Sequence, residues 1–188
     1  QIKGPGVGGP CAPALAEQRD QLILPHLDES ETYSFTPSFT WHGFRYVEIS
    51  GLPSGASVES VDGLVMRSDV AETSSFTSSS QLLNDIWTMC RETHASNMMS
   101  VQSDCPHRER FGYTGDLLAT AETALYLFDV SRFYEKRIVD VFDAQRDDGG
   151  LTETAPYVGI ADAGLGGESG PIGWDTVVET AAAIRRWS

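Results

Sequence analysis

Between Ser74 and Ser80 the hydrophobic repeat of the chain changes from two residues to about 3.6, so one stretch must pair as strands and the next must coil as helices. Before the change, Thr32-Tyr33-Ser34-Phe35-Thr36 alternates polar and aromatic residues until Pro37 interrupts it. Residues 38–41 and 44–49 are rich in aromatic and β-branched side chains on either side of His42-Gly43, which suits two short strands and a tight connection. Gly51-Leu52-Pro53-Ser54-Gly55 is a turn signal, and residues 58–61 and 63–67 add strand-like pieces. The expectation is the closing hairpins of an antiparallel β-sandwich over residues 32–73. His42, alone in its turn, reads as a surface or hydrogen-bonded histidine. Residues 1–31 carry Gly4, Pro5, Gly6, Gly8, Gly9, Pro10 and Pro13 and read as a linker or the tail of a preceding module.

After the change, the serine-threonine run offers N-caps for a helix whose apolar face is Leu82, Leu83, Ile86, Trp87 and Cys90. A second helix follows Asp116, with Leu117, Leu118, Ala121, Leu125 and Phe128 inward. A third, from about residue 131 to 145, points Phe133, Tyr134, Ile138, Val141 and Phe142 inward and stops at Asp147-Asp148-Gly149-Gly150. Residues 151–173 read as a long loop, the kind that is usually functional or disordered. A fourth helix opens near Trp174 and reaches Ser188 without a stop signal, which reads as truncation. Residues 74–188 thus form the helical part.

Composition narrows the function. The 188-residue chain holds 13 basic and 27 acidic residues, for a net charge of −14. Phosphate binding needs clustered Lys and Arg, so nucleic acid is a poor partner, and anionic membrane surfaces are disfavoured likewise. A neutral sugar is compatible with the charge. Cys11, Cys90 and Cys105 cannot all pair within the chain, and no Cys/His spacing of zinc type exists, so neither metal nor cofactor is expected. No run of about eighteen apolar residues is present, hence no membrane-spanning helix. Residues 1–13 lack the charged start and apolar core of a signal peptide, which leaves cytoplasmic and secreted locations both open.

The densest chemistry lies in Asp104-Cys105-Pro106-His107-Arg108-Glu109-Arg110-Phe111-Gly112-Tyr113-Thr114-Gly115-Asp116. Three carboxylates, two arginines, a histidine and a tyrosine stand between two apolar helices. Buried carboxylates are costly unless paired, and aromatic and glycine residues interleave the charges as in a pocket wall built for a polar ring. Cys105 reads as a small, partly buried side chain rather than a nucleophile, because no histidine-based triad surrounds it.

This motif resembles the active-site signature of bacterial α-L-rhamnosidases, glycoside hydrolase family 78. Phe39-Thr40-Trp41-His42-Gly43-Phe44-Arg45-Tyr46-Val47-Glu48 resembles the family's upstream strand pair, and Ser79-Ser80-Gln81-Leu82-Leu83-Asn84-Asp85-Ile86-Trp87 the start of its catalytic domain. Gly173-Trp174-Asp175 is similar to a downstream tryptophan-aspartate segment, although the family carries an extra residue between the two. The resemblance runs from about residue 30 onward and implies a mixed fold, the end of an antiparallel β-sandwich followed by the first helices of an (α/α)6 barrel. It also implies inverting hydrolysis of terminal α-L-rhamnosyl residues in glycosides or polysaccharides. Such hydrolysis uses two carboxyls roughly 6.5–9.5 Å apart. Glu109 matches the general acid, and Asp104 and Asp116 match sugar-binding aspartates. Neighbouring carboxylates would keep Glu109 protonated while Arg108 and Arg110 pull the other way, and the residues alone leave that balance open. Arg108 either donates to sugar hydroxyls, orients a carboxylate or makes a structural ion pair. Tyr113, where the family usually has tryptophan, lies under the sugar or packs as wall. Trp174 and Asp175 are the further substrate-binding positions. The matching general base lies beyond residue 188, and none of Glu153, Glu168 and Glu179 fits its motif, so residues 1–188 alone are expected to be inactive. A glycosidase for another sugar on the same barrel and a non-catalytic carbohydrate-binding protein are the alternative readings.

Overall fold

The computed structural model of the chain describes residues 18–24 and 32–158. The expected helix from Trp174, with Trp174 and Asp175 themselves, and most of the expected linker lie outside the described residues. The ordered frame is α1 (Gln81–Asn97), a hairpin of β1 (Met98–Met99) and β2 (Val101–Gln102), α2 (Thr114–Leu127) and α3 (Ser131–Asp143).

The change of period falls where the first helix starts. Ser80 is the N-cap residue of α1, but no serine side chain caps the helix. Asn84, in the first turn, instead ties the helix to the chain just before it. Its Oδ1 accepts from the Ser78 amide at 2.8 Å, and its Nδ2 donates to the Ser78 carbonyl at 3.0 Å. At its far end α1 runs into the hairpin, whose turn residue Ser100 has φ 64. Its amide donates to Ser68 Oγ at 3.0 Å, and the Ser68 amide donates to the Met98 carbonyl at 2.7 Å. The hairpin is thereby tied to the chain that precedes α1.

The core is built mainly by α2 and α3. Leu117, Ala121, Ala124 and Leu127 form a stripe along α2 at three- and four-residue spacing, continued by Phe128. Phe133, Tyr134 and Val141 of α3 pack with them, together with Ala95 and Met98. Both inward faces differ slightly from the pattern read in the sequence: Leu125 and Phe142 are exposed, and the interior place on α3 goes to Arg137. Gln102 locks hairpin to helices, accepting from the buried Tyr134 hydroxyl at 3.1 Å and donating to Thr120 Oγ1. After α3 the chain turns at Gly149, where φ is 89. It then re-enters the core at residues 151–155, all buried. The start of the expected long loop is therefore a packed strap.

The strands expected over residues 32–70 do not form among the described residues. Among the described residues a single bridge, Glu72 to Phe128, is the ladder contact near that stretch. A strand is stable only when a neighbour satisfies its amides and carbonyls and covers its apolar face. Phe39, Phe44, Tyr46, Val47, Val61 and Val65 lie exposed here, with no second strand beside them among the described residues. The stretch makes close contact at the 41–43 turn, which leans on the acidic motif.

The first helix also keeps its apolar side in water: Leu82 is 67% exposed, and Leu83, Ile86 and Met89 are exposed as well. Contiguous apolar patches of more than a few hundred Å² promote association. Residues 1–188 expressed alone are expected to bind a hydrophobic dye and to self-associate. A dye-silent monomer in analytical ultracentrifugation would contradict this.

Candidate active site

The acidic motif leaves the hairpin at Asp104 and enters α2 at Thr114, so both its ends are anchored in regular structure. Asp104 closes the loop on itself. Its amide donates to the Phe111 carbonyl at 3.2 Å, and its Oδ1 accepts from the Phe111 amide at 3.0 Å. Between them Arg110 is held at φ 58, a left-handed conformation that costs a non-glycine residue roughly 1–2 kcal/mol. Two contacts hold it there. The Arg110 guanidinium donates to the Trp41 carbonyl at 2.7 Å and lies 4.9 Å from the centre of the Trp41 ring.

The 41–43 turn is itself fixed from behind. Gln18 brackets Gly43, accepting from its amide at 2.7 Å and donating to its carbonyl at 2.8 Å. His42 Nε2 lies 2.8 Å from Asp20 Oδ2, so it is the hydrogen-bonded histidine that its isolation in the sequence suggests. A Cβ on Gly43 would sit 2.7 Å from His107 Cβ, so only glycine allows this approach to the motif.

The other wall is the 151–155 strap. The Thr114 amide donates to the Glu153 carbonyl at 3.1 Å, and the Ala155 amide donates to the Gly112 carbonyl at 3.0 Å, making a short antiparallel bridge at Tyr113 and Thr154. Behind it lies Arg137, 1% exposed, whose guanidinium donates to the Ala155 carbonyl at 2.6 Å, to the Gly112 carbonyl at 3.2 Å and to Asp140 Oδ2 at 2.7 Å. Gly112 has no alternative, since an added Cβ would run into the Ala155 carbonyl and lie 2.9 Å from Arg137 Nη2.

Inside this frame the candidate side chains converge. Glu109, its side chain 10% exposed, meets Arg108 Nη2 at 3.4 Å on Oε1 and accepts from the Tyr113 hydroxyl at 3.2 Å on Oε2. The contact places the Arg108 guanidinium against the Glu109 carboxylate. Tyr113 also stands edge-on to Phe111, with ring centres 6.2 Å apart. Burial raises the Tyr113 phenol well above its ordinary value, and the charge and hydrogen bond of Glu109 add to this, followed by the charges of Glu153 and Asp104. The phenol therefore keeps its proton and acts as a donor. Burial raises the Asp116 carboxyl too, reinforced by the charge of Asp104 and then of Glu109. Asp104, Arg108, Glu109, Tyr113 and Asp116 are thus one cluster.

Arg137 and the placement of Glu153 are the parts that sequence reasoning missed. Glu153 is 6% exposed, and burial raises its carboxyl. A signal for Arg137 was present, one basic residue four positions from both Phe133 and Val141 on an otherwise apolar stripe.

Comparison with known proteins shows the family. A family model described as the bacterial alpha-L-rhamnosidase 6 hairpin glycosidase domain matches residues 71–184, and the bacterial alpha-L-rhamnosidase concanavalin-like domain matches residues 12–67. The chain belongs to the bacterial alpha-L-rhamnosidase family. It is 42% identical over 138 residues to an alpha-L-rhamnosidase of Streptomyces avermitilis, covering 73% of this chain and 13% of that protein. To an alpha-L-rhamnosidase of Formosa agariphila it is 36% identical over 108 residues, covering 57% of this chain and 11% of that one. A crystal structure of the Streptomyces avermitilis alpha-L-rhamnosidase complexed with L-rhamnose is 38% identical with a TM-score of 0.49, over 50% of this chain and 9% of that chain. The chain therefore spans little more than a tenth of the length of these relatives.

Asp116 gives a prediction about pH. A carboxyl whose folded value is raised binds its proton more tightly in the folded protein, so its contribution to stability is complete below the unfolded value, near 3.8, and is lost as pH rises through the folded value. Asp116→Asn cannot ionise. The variant should melt above the unmodified protein near neutral pH, with the difference vanishing as pH falls toward 3.8. Thermal midpoints that coincide at every pH would show that Asp116 ionises without cost.

Proposed function

We propose that the protein carrying this chain is a glycoside hydrolase that removes terminal α-L-rhamnosyl residues, with Glu109 as the proton donor. The observation that carries this reading is the setting of Glu109: its side chain is nearly buried, with one oxygen facing Arg108 and the other accepting from Tyr113, in the same short loop as Asp104. The names of the relatives support the choice of sugar.

In the reaction, the glycosidic oxygen takes the proton of the Glu109 carboxyl as its bond to the anomeric carbon breaks. Positive charge develops on that carbon, and the carboxylates of Asp104 and Asp116 favour it while accepting hydrogen bonds from sugar hydroxyls. Arg108 and Tyr113 fix the direction from which Glu109 acts. A water molecule, activated by a second carboxylate, completes the hydrolysis from the opposite face with inversion. That base is expected from sequence beyond residue 188. Trp174 and Asp175 are assigned to the sugar site on the family pattern alone. The same reading makes residues 1–31 a linker or the tail of a preceding module, residues 32–73 the end of a β-sandwich and residues 74–188 the opening helices of an (α/α)6 barrel.

The test is Glu109→Gln in the complete protein, which preserves shape and removes the proton. General acid catalysis contributes about 10²–10⁴-fold, so alkyl rhamnosides with poor leaving groups should lose that much turnover and activated aryl rhamnosides far less. Equal losses on both would remove Glu109 from this role, and a complete protein inert toward every α-L-rhamnoside would reject the activity.

A further inference from the structure

The Cys105 thiol is half-buried, and neither the acid nor the sugar-binding role uses it. Its sulfur nevertheless bridges the Asp104 carboxylate and the backbone amide of Glu109. Sγ donates to Asp104 Oδ2 at 3.0 Å and accepts from the Glu109 amide at 3.1 Å. Since Asp104 Oδ1 already takes the Phe111 amide, the thiol fixes the second oxygen and with it the plane of the carboxylate. The same atom fixes the peptide from which Glu109 projects. A thiol is a weak donor and a weak acceptor, but a charged acceptor strengthens the first bond, and the second satisfies an amide inside a tight loop.

From this we infer that Cys105 is a positioning residue, setting the separation and orientation of Asp104 relative to Glu109, and that this is why a thiol occupies the position. The inference rests on the proposed rhamnosidase reading. Packing alone would not require it, because alanine or valine would leave the loop filled or nearly so while removing both bonds. Serine keeps a donor and an acceptor, with a shorter reach.

The experiment compares Cys105→Ala, Cys105→Val and Cys105→Ser in the complete protein, on an alkyl and an activated aryl α-L-rhamnoside, with thermal midpoints measured alongside. Misplacing a reacting group by about 1 Å costs about 10²-fold. The alanine and valine variants should lose about 10–100-fold in kcat/KM on the alkyl substrate. On the aryl substrate the loss should be smaller and appear mainly as raised KM, since there only Asp104 matters. Serine should recover most of both. Should alanine not fold, the contrast between serine and valine decides in the same way. Variants with unmodified kcat and KM, or serine and valine equally impaired on both substrates, would overturn the positioning role while leaving the activity standing. An unmodified complete protein that cleaves neither substrate would overturn the activity and the inference together.

Discussion

Arg137 brings a full positive charge into the interior of the helical unit, and the shape of the acidic loop depends on how that charge is met. The guanidinium is bound on one side by Asp140 and on the other by the carbonyls of Gly112 and Ala155, which belong to segments far apart in sequence. Burial lowers the proton affinity of the guanidinium, and the hydrogen bond and charge of Asp140 oppose this. A buried charge with good partners is roughly neutral for stability, but losing one side of such a pair costs about 3–5 kcal/mol. Its structural effect is to dock the strap against the loop. The strap then holds Thr114 at the start of α2, and Tyr113, one residue earlier, is delivered to Glu109.

A cluster of like charges would normally open toward water. Here it is held by neutral donors and by constraint of the backbone. The Phe111 amide and the Cys105 thiol take the two oxygens of Asp104, and Tyr113 keeps its proton because burial first, and then the charges of Glu109, Glu153 and Asp104, make its ionisation unfavourable. Arg110 turns outward in its left-handed conformation to meet Trp41, which leaves Arg108 as the guanidinium that faces Glu109. The two arginines, alike in sequence, have different tasks because the loop reverses between them.

Much of this was legible beforehand. The period change located α1, the glycine turn after α3 was correctly placed, and the motif assembled as one cluster because its residues sit within a single short loop. What was not legible depends on contacts between distant segments. Asn84 replaced the serines as the brace of α1 because its amide can serve a donor and an acceptor at once. The pairing of Thr114 with Glu153, and of Gly112 with Ala155, joins residues about forty apart, and no local pattern announces it. Over residues 32–70 the alternation is present without, among the described residues, the paired neighbour that strands require, because propensity alone does not supply one.

The dependence of the site on Arg137 is most directly tested by measuring L-rhamnose affinity calorimetrically in the complete protein and in its Arg137→Met variant, with unfolding followed in parallel. The account predicts a loss of about 3–5 kcal/mol in stability. At temperatures where the variant is still folded, sugar binding should be at least about tenfold weaker, because the strap no longer holds Tyr113 against Glu109. A folded Arg137→Met protein that binds L-rhamnose as tightly as the unmodified one would contradict it.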